Sequence, residues 1–114
     1  MHSTSADQIV VFVTCPPYQA KGIASRLVEE RLVACVNILP AIRSIYSWEG
    51  KTCDDREALL IMKTRASLFE RLRLRVVELH PYEVPEVIAM PIAVGHPPYL
   101  QWLDESTQAW PDAD

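Results

Sequence analysis

The spacing of apolar positions changes several times along the chain, and each change marks an element. QIVVFVTC (8–15) is almost continuously apolar and β-branched and ends at Pro16-Pro17. That pattern predicts a strand buried on both faces. From Tyr18 the period lengthens: Ala20, Ile23, Ala24, Leu27 and Val28 share one helix face, with Lys21, Ser25, Arg26, Glu29 and Glu30 opposite. Gly22 is a weak helix residue, expected where a helix packs closely on a sheet. VACVNILPAIRSIYSW (33–48) is a second β-rich run, EGK (49–51) a hairpin turn, and REALLIMKT (56–64) the returning strand. Pro40 cannot donate to a ladder, which calls for an edge, a bulge or a bend.

Ser67 and Glu70 have capping-box spacing at the start of a second helix. Its buried stripe is Leu68, Leu72, Val76 and Leu79, with Phe69 alongside. Pro81 stops it, because the residue before a proline is pushed out of the α region. EVIAMPIAV (86–94) reads as a last strand. Residues 96–107 read as a short helix with Pro98 in its first turn and Tyr99, Leu100 and Leu103 on one side. The order β-α-β-β-α-β, plus a terminal helix, is an α+β, ferredoxin-like (split βαβ) arrangement. Right-handed crossovers are expected to set the first and last strands side by side at the sheet centre. One domain covers 1–114, with an ordered core of about 8–107 and flexible ends at 1–7 and 108–114.

One dimension exceeds a compact monomer. A strand over 33–48 spans roughly 50 Å at ~3.3 Å per residue, against a diameter of about 35 Å for a domain of this length. The hairpin therefore projects, and an apolar β-arm carrying Ile45, Tyr46 and Trp48 needs a neighbouring subunit to cover it. Those three residues are the expected subunit interface.

Charge and composition narrow the partners. The net charge is −4, and 49% of residues are hydrophobic. Nucleic-acid binding needs a basic footprint, and the only Lys/Arg cluster, RLRLR (71–75), alternates with leucine as the wet side of a helix. No apolar run approaches the ~18–20 residues that span a bilayer, and the polar start MHSTSADQ argues against export. Cys15, Cys35 and Cys53 are an odd number without C-x-x-C spacing, which points to reduced thiols and a cytoplasmic location. Neither a glycine-rich anion loop, a Walker motif nor a Ser/His/Asp or Cys/His set is present, so no enzyme is expected, acylphosphatase-type chemistry on the same fold included.

VTCP, EERLVACVNILP, SIYSWEGK, LLIMKTR, ELHPYEVPEVIAMPI and YLQWL occur in this order from about Ile9 to Leu103. Together they resemble the CutA (CutA1) divalent-cation tolerance family. The resemblance implies a ferredoxin-like subunit, a PII-like homotrimer in which long hairpins pair between subunits, and a part in the response to divalent metal ions. It implies copper binding and no established catalytic reaction. Such a protein needs no obligatory cofactor, takes Cu(II) or another divalent cation, and has no protein partner that the sequence identifies.

HPYEVPE (80–86) gathers the candidate chemistry. His80 is either a cap at a helix C-terminus or an imidazole ligand held by Pro81 at an inter-subunit cleft. Glu83 and Glu86 are either solvated charges or carboxylates joining His80 in a mixed N/O set suited to Cu(II) or Zn(II). Leu79 precedes His80, so a double-histidine version of the site is absent. Cys15, at the carboxyl end of a strand, is either a fourth metal candidate or a small buried hydrophobe. Cys35 reads as core and Cys53 as exposed. Lys63, Tyr82 and Tyr99, within the resembling motifs, are candidates to line a cleft for a small ligand; for Trp48 interface packing is favoured. Two functions follow: a trimeric metal-tolerance protein, or a PII-like sensor with a small molecule in its inter-subunit clefts.

Overall fold

Every other element of the fold is arranged around strand β1 (Gln8–Cys15), which hydrogen-bonds on both sides. The structure is a computed structural model and describes residues 7–108. Helix α1 (Ala20–Glu29) follows a single 3-10 turn, and the hairpin β2 (Cys35–Trp48) and β3 (Lys51–Arg65) comes next. Helix α2 (Phe69–Leu79), strand β4 (Val87–Pro91) and helix α3 (Pro97–Glu105) complete the chain. The sheet order is β2-β3-β1-β4, and every neighbouring pair is antiparallel. Each helical crossover skips one strand, which is the split βαβ arrangement expected.

Strand order is the principal correction. β4 does pair with β1, as expected, but β3 of the hairpin takes the other side of β1, so β4 is an edge strand of five residues rather than a central one. An edge suits it: Pro91, which has no N–H to donate, sits opposite Ile9 at its end. Nor is β1 buried on both faces. Ile9, Val11, Val13 and Cys15 are buried, and the residues between them are half-buried. The buried face meets Ala58, Leu60 and Met62 of β3, with Ile23 and Leu27 of α1 and Leu72 and Val76 of α2 closing a two-layer core.

Three helix expectations change. Val28 leaves the predicted stripe and is exposed, whereas Ala20, Ile23, Ala24 and Leu27 are buried. A Cβ on Gly22 would meet nothing within 4 Å, so no close approach to the sheet explains the glycine. The Ser67–Glu70 capping box does not form. Ala66–Leu68 is a 3-10 turn, Leu68 is the N-cap without a side-chain bond, and Glu70 pairs with Arg73 instead. At the other end Pro81 ends α2 as expected, with His80 already extended.

The hairpin behaves as its sequence implies. Glu49 and Gly50 both have positive φ, 51° and 80°, the two-residue turn whose twist matches the flanking strands. Leu39 pairs with Leu59 and Ile42 with Glu57, so Pro40 and Ala41 oppose one residue in a bulge on the edge strand. The molecule measures 48 × 25 × 23 Å with a radius of gyration of 15.0 Å, larger than the ~13 Å of a compact chain of about 100 residues. The projecting arm is real. Ile38, Leu39, Ile45, Tyr46 and Trp48 on β2, and Ile88 and Met90 on β4, are exposed along the two open edges of the sheet.

Both described ends are tied down. The Asp7 carbonyl accepts from Ala66 N–H, and Gln108 bonds the carbonyls of Arg31 and Glu30. The other end residues expected to be flexible, 1–6 and 109–114, lie outside the described residues. No described helix is long and apolar enough to cross a membrane.

Candidate functional site

A cleft of about 590 Å³ opens where the turn-proximal half of β2 meets the segment after α2. The hairpin contributes Ser44, Ile45, Tyr46, Trp48 and Glu57; the segment contributes Tyr82, Glu83, Val84 and Glu86; Thr14 comes from the end of β1. Three carboxylates thus line one cleft, and among the described residues no Lys, Arg or His does. Its volume is within the ~300–1,000 Å³ usual for small-ligand sites.

His80 braces this cleft from behind. It is only 7% exposed. Its Nε2 lies 2.7 Å from the Thr14 carbonyl, and its Nδ1 3.1 Å from the Tyr82 backbone N–H. A carbonyl only accepts and an amide N–H only donates, so the ring is neutral with its proton on Nε2. Both nitrogens are committed, and coordination of a metal by His80 would require breaking one of these bonds. The ring also meets Tyr82 at 4.7 Å between centroids. Its function here is a tie between the end of α2 and the end of β1, beyond the helix-cap role that sequence alone offers.

Glu57 is the residue that sequence reasoning missed. Ala58, Leu60, Met62 and Thr64 are the buried alternation of β3, yet Glu57, out of phase with them, is 5% exposed. Tyr82 covers it and donates its hydroxyl to Glu57 Oε2 at 2.8 Å. Burial, and then the Glu57 hydrogen bond and charge, raise the Tyr82 hydroxyl far above the usual phenol range. The available signal was an acid at the head of the apolar run ALLIM, paired with Ile42 next to the Pro40 bulge.

The remaining candidates separate into groups. Glu83 and Glu86 line the cleft mouth, and Thr14 Oγ1 reaches Glu86 at 3.5 Å. Cys15 is buried, and burial, then the Glu57 charge, push its thiol up to about 11, far from a ready thiolate. Cys35 is half-buried rather than core, its Sγ 3.7 Å from the Tyr99 hydroxyl; Cys53 is likewise half-buried rather than exposed. Lys63, opposite Cys35 in the ladder, bonds Asn37. Lys63 on β3 and Tyr99 on α3 therefore sit beside Cys35, away from the cleft, and of that set only Tyr82 lines it. Ile45, 66% exposed, and Trp48, 50% exposed, form its apolar wall. Tyr46 is held by Asp55, which pushes its hydroxyl up to about 12. Among the described residues, no three His, Cys, Asp or Glu side chains cluster as a ready metal site.

The family model described as "CutA1 divalent ion tolerance protein" matches residues 9–106. The chain belongs to that family. It is 52% identical over 99 residues to the divalent-cation tolerance protein CutA of Thermus thermophilus, covering 86% of this chain and 96% of that one. It is 50% identical over 103 residues to protein CutA of Homo sapiens, covering 90% of this chain and 58% of that one. The chain thus spans little more than half the length of that relative, and 59% of the chloroplastic CutA of Arabidopsis thaliana. Among solved structures, CutA1 of Oryza sativa superposes with a TM-score of 0.89 at 50% identity, covering 94% and 99% of the two chains. The Thermus thermophilus protein gives 0.86 at 51% identity, covering 89% and 99%. The split βαβ fold with its long hairpin is the fold of this CutA1 chain.

Proposed function

We propose that this CutA1 chain acts in divalent-cation tolerance as a homotrimer that binds its ligand at the acidic cleft and catalyses no reaction. One observation carries the reading. The cleft holds three carboxylates and no cationic side chain among the described residues, so its charge favours a cation and repels a nucleotide or other polyanion. Glu83 and Glu86 at the mouth provide oxygen donors, and one or two carboxylates with water are enough for a hard divalent ion. With His80 engaged, oxygen-loving cations such as Mn(II) fit this cleft better than Cu(II), which would prefer the imidazole. The trimer is supported by the open apolar edges of β2 and β4, which an isolated chain leaves unpaired.

Calorimetric titration with Mn(II) and Cu(II) tests the site. Glu83→Gln with Glu86→Gln should weaken Mn(II) binding at least tenfold, and unchanged affinity would remove the cleft mouth from the metal site. Light scattering should give three times the chain mass at micromolar concentration.

A second reading, a PII-like sensor of a small molecule, is favoured by the size of the cleft and its wall of Ile45, Trp48 and Val84, which a bare ion does not need. Thermal-shift measurements with cationic and anionic metabolites distinguish it, since a ligand of the folded form raises the melting temperature.

A further inference from the structure

We infer that the inner end of the cleft is a subsite for an organic ammonium ion with an apolar arm, and that Glu57 is the residue that recognises it. This rests on the reading of the cleft as the functional site. Glu57 is nine-tenths buried and accepts a hydrogen bond from the Tyr82 hydroxyl. None of the ion pairs among the described residues includes it. Its Oε1 has no hydrogen-bond partner among those residues, and the side chain lines the cleft. A buried acid with a single hydrogen bond and no ion partner is a position that a cation would complete. The cleft is the open approach to it.

The surroundings select the class of cation. The Thr14 and Ser44 hydroxyls line the same space and can accept. An ammonium group presents the donors that such acceptors need. Trp48 and Tyr46 offer aromatic surface for a cation and its carbon arm, and Ile45 and Val84 extend the apolar wall. A strongly hydrated metal ion gains nothing from that wall; an amine with an aromatic or aliphatic arm does.

The probes are phenethylammonium and its neutral counterpart 2-phenylethanol, titrated into the assembled protein by calorimetry or NMR. The cation should bind at least tenfold more tightly than the alcohol. Glu57→Gln should abolish that preference, whereas Glu83→Gln/Glu86→Gln should change it less than threefold. Tyr82→Phe leaves Glu57 with two unpartnered oxygens and should tighten the ammonium, which keeps the test valid if Glu57→Gln does not fold.

Equal binding of the two probes, an unchanged preference in Glu57→Gln, or unchanged or weaker binding in Tyr82→Phe would each overturn the inference. So would absence of binding together with dissociation of Glu57→Gln into monomers, which places the countercharge on a neighbouring copy. Mn(II) titration of the same samples separates this from the cation-tolerance reading. Ammonium binding without Mn(II) binding refutes that reading and upholds the subsite; Mn(II) binding without a Glu57-dependent preference does the reverse.

Discussion

Replacing His80 by Ala separates a structural tie from a ligand most sharply. The substitution removes the 2.7 Å bond from Nε2–H to the Thr14 carbonyl and the 3.1 Å bond from the Tyr82 N–H to Nδ1. A typical intramolecular hydrogen bond contributes about 1 kcal/mol net, and a buried polar group left unpaired costs about 1–3 kcal/mol. Loss of the ring also opens a void beside Tyr82, whose centroid lies 4.7 Å away. Taken together, a destabilisation of about 3 kcal/mol is expected, at the upper end for a single substitution.

The assay is urea unfolding of wild type and His80→Ala at matched protein concentration, because the stability of an assembly depends on concentration. The midpoint should fall with the slope unchanged, the signature of lost stability rather than altered compactness. His80→Gln retains an N–H donor and should recover part of the loss. A change below about 0.5 kcal/mol for His80→Ala would refute the structural assignment, since that is the range of an ordinary surface substitution. If Cu(II) affinity collapsed at the same time, the imidazole would be a ligand after all.

Three other expectations follow from single contacts. Cys15, buried with its thiol raised to about 11, should resist a thiol reagent at pH 8 until denaturant is added, while Cys35 and Cys53 react first; rapid native labelling of Cys15 would contradict its burial. Arg31 ends α1 with φ 60°, while its guanidinium donates to the carbonyls of Glu105 and Thr107. Arg31→Ala loses that clamp and keeps the backbone strain, so it should be less stable than Arg31→Gly by about 1 kcal/mol in thermal or urea unfolding; equal stability would deny the strain. The Arg75 hydrogen bonds, with its charge and that of Arg26, hold the Glu30 carboxyl below its ordinary 4.5. Its contribution is therefore complete above pH 4.5 and lost as the pH falls through the lower folded value. Glu30→Gln should therefore lower stability at neutral pH, flatten the acid limb of the profile and leave low pH little changed; an identical acid limb would disprove the linkage.

The parts of this fold that the sequence discloses are local. The turn at Glu49-Gly50, the bulge at Pro40 and the stop at Pro81 each rest on the backbone preferences of one or two residues, and each forms. What stays hidden depends on distant partners. Edge or centre for β4 depends on which strand its crossover skips, and an apolar run such as EVIAMPIAV looks alike in both places. The capping box fails because Arg73, one helical turn on, claims Glu70. Glu57 looks like an ordinary surface acid because its cover, Tyr82, is 25 residues away in the chain.

The same distinction explains HPYEVPE. Its prolines are punctuation, but the residues between them serve two purposes. His80 and Tyr82 are attached to the sheet, one through the Thr14 carbonyl and the other through Glu57. Glu83 and Glu86, which alternate with this anchored end, line the cleft. A segment with little regular structure of its own can hold charges in place only if its backbone is braced, because each freely rotating residue costs about 1–2 kcal/mol to order on binding. The buried histidine braces the backbone from which these carboxylates extend. Within these seven residues His80 and Tyr82 make the contacts that brace the segment, and Glu83 and Glu86 line the cleft beside it.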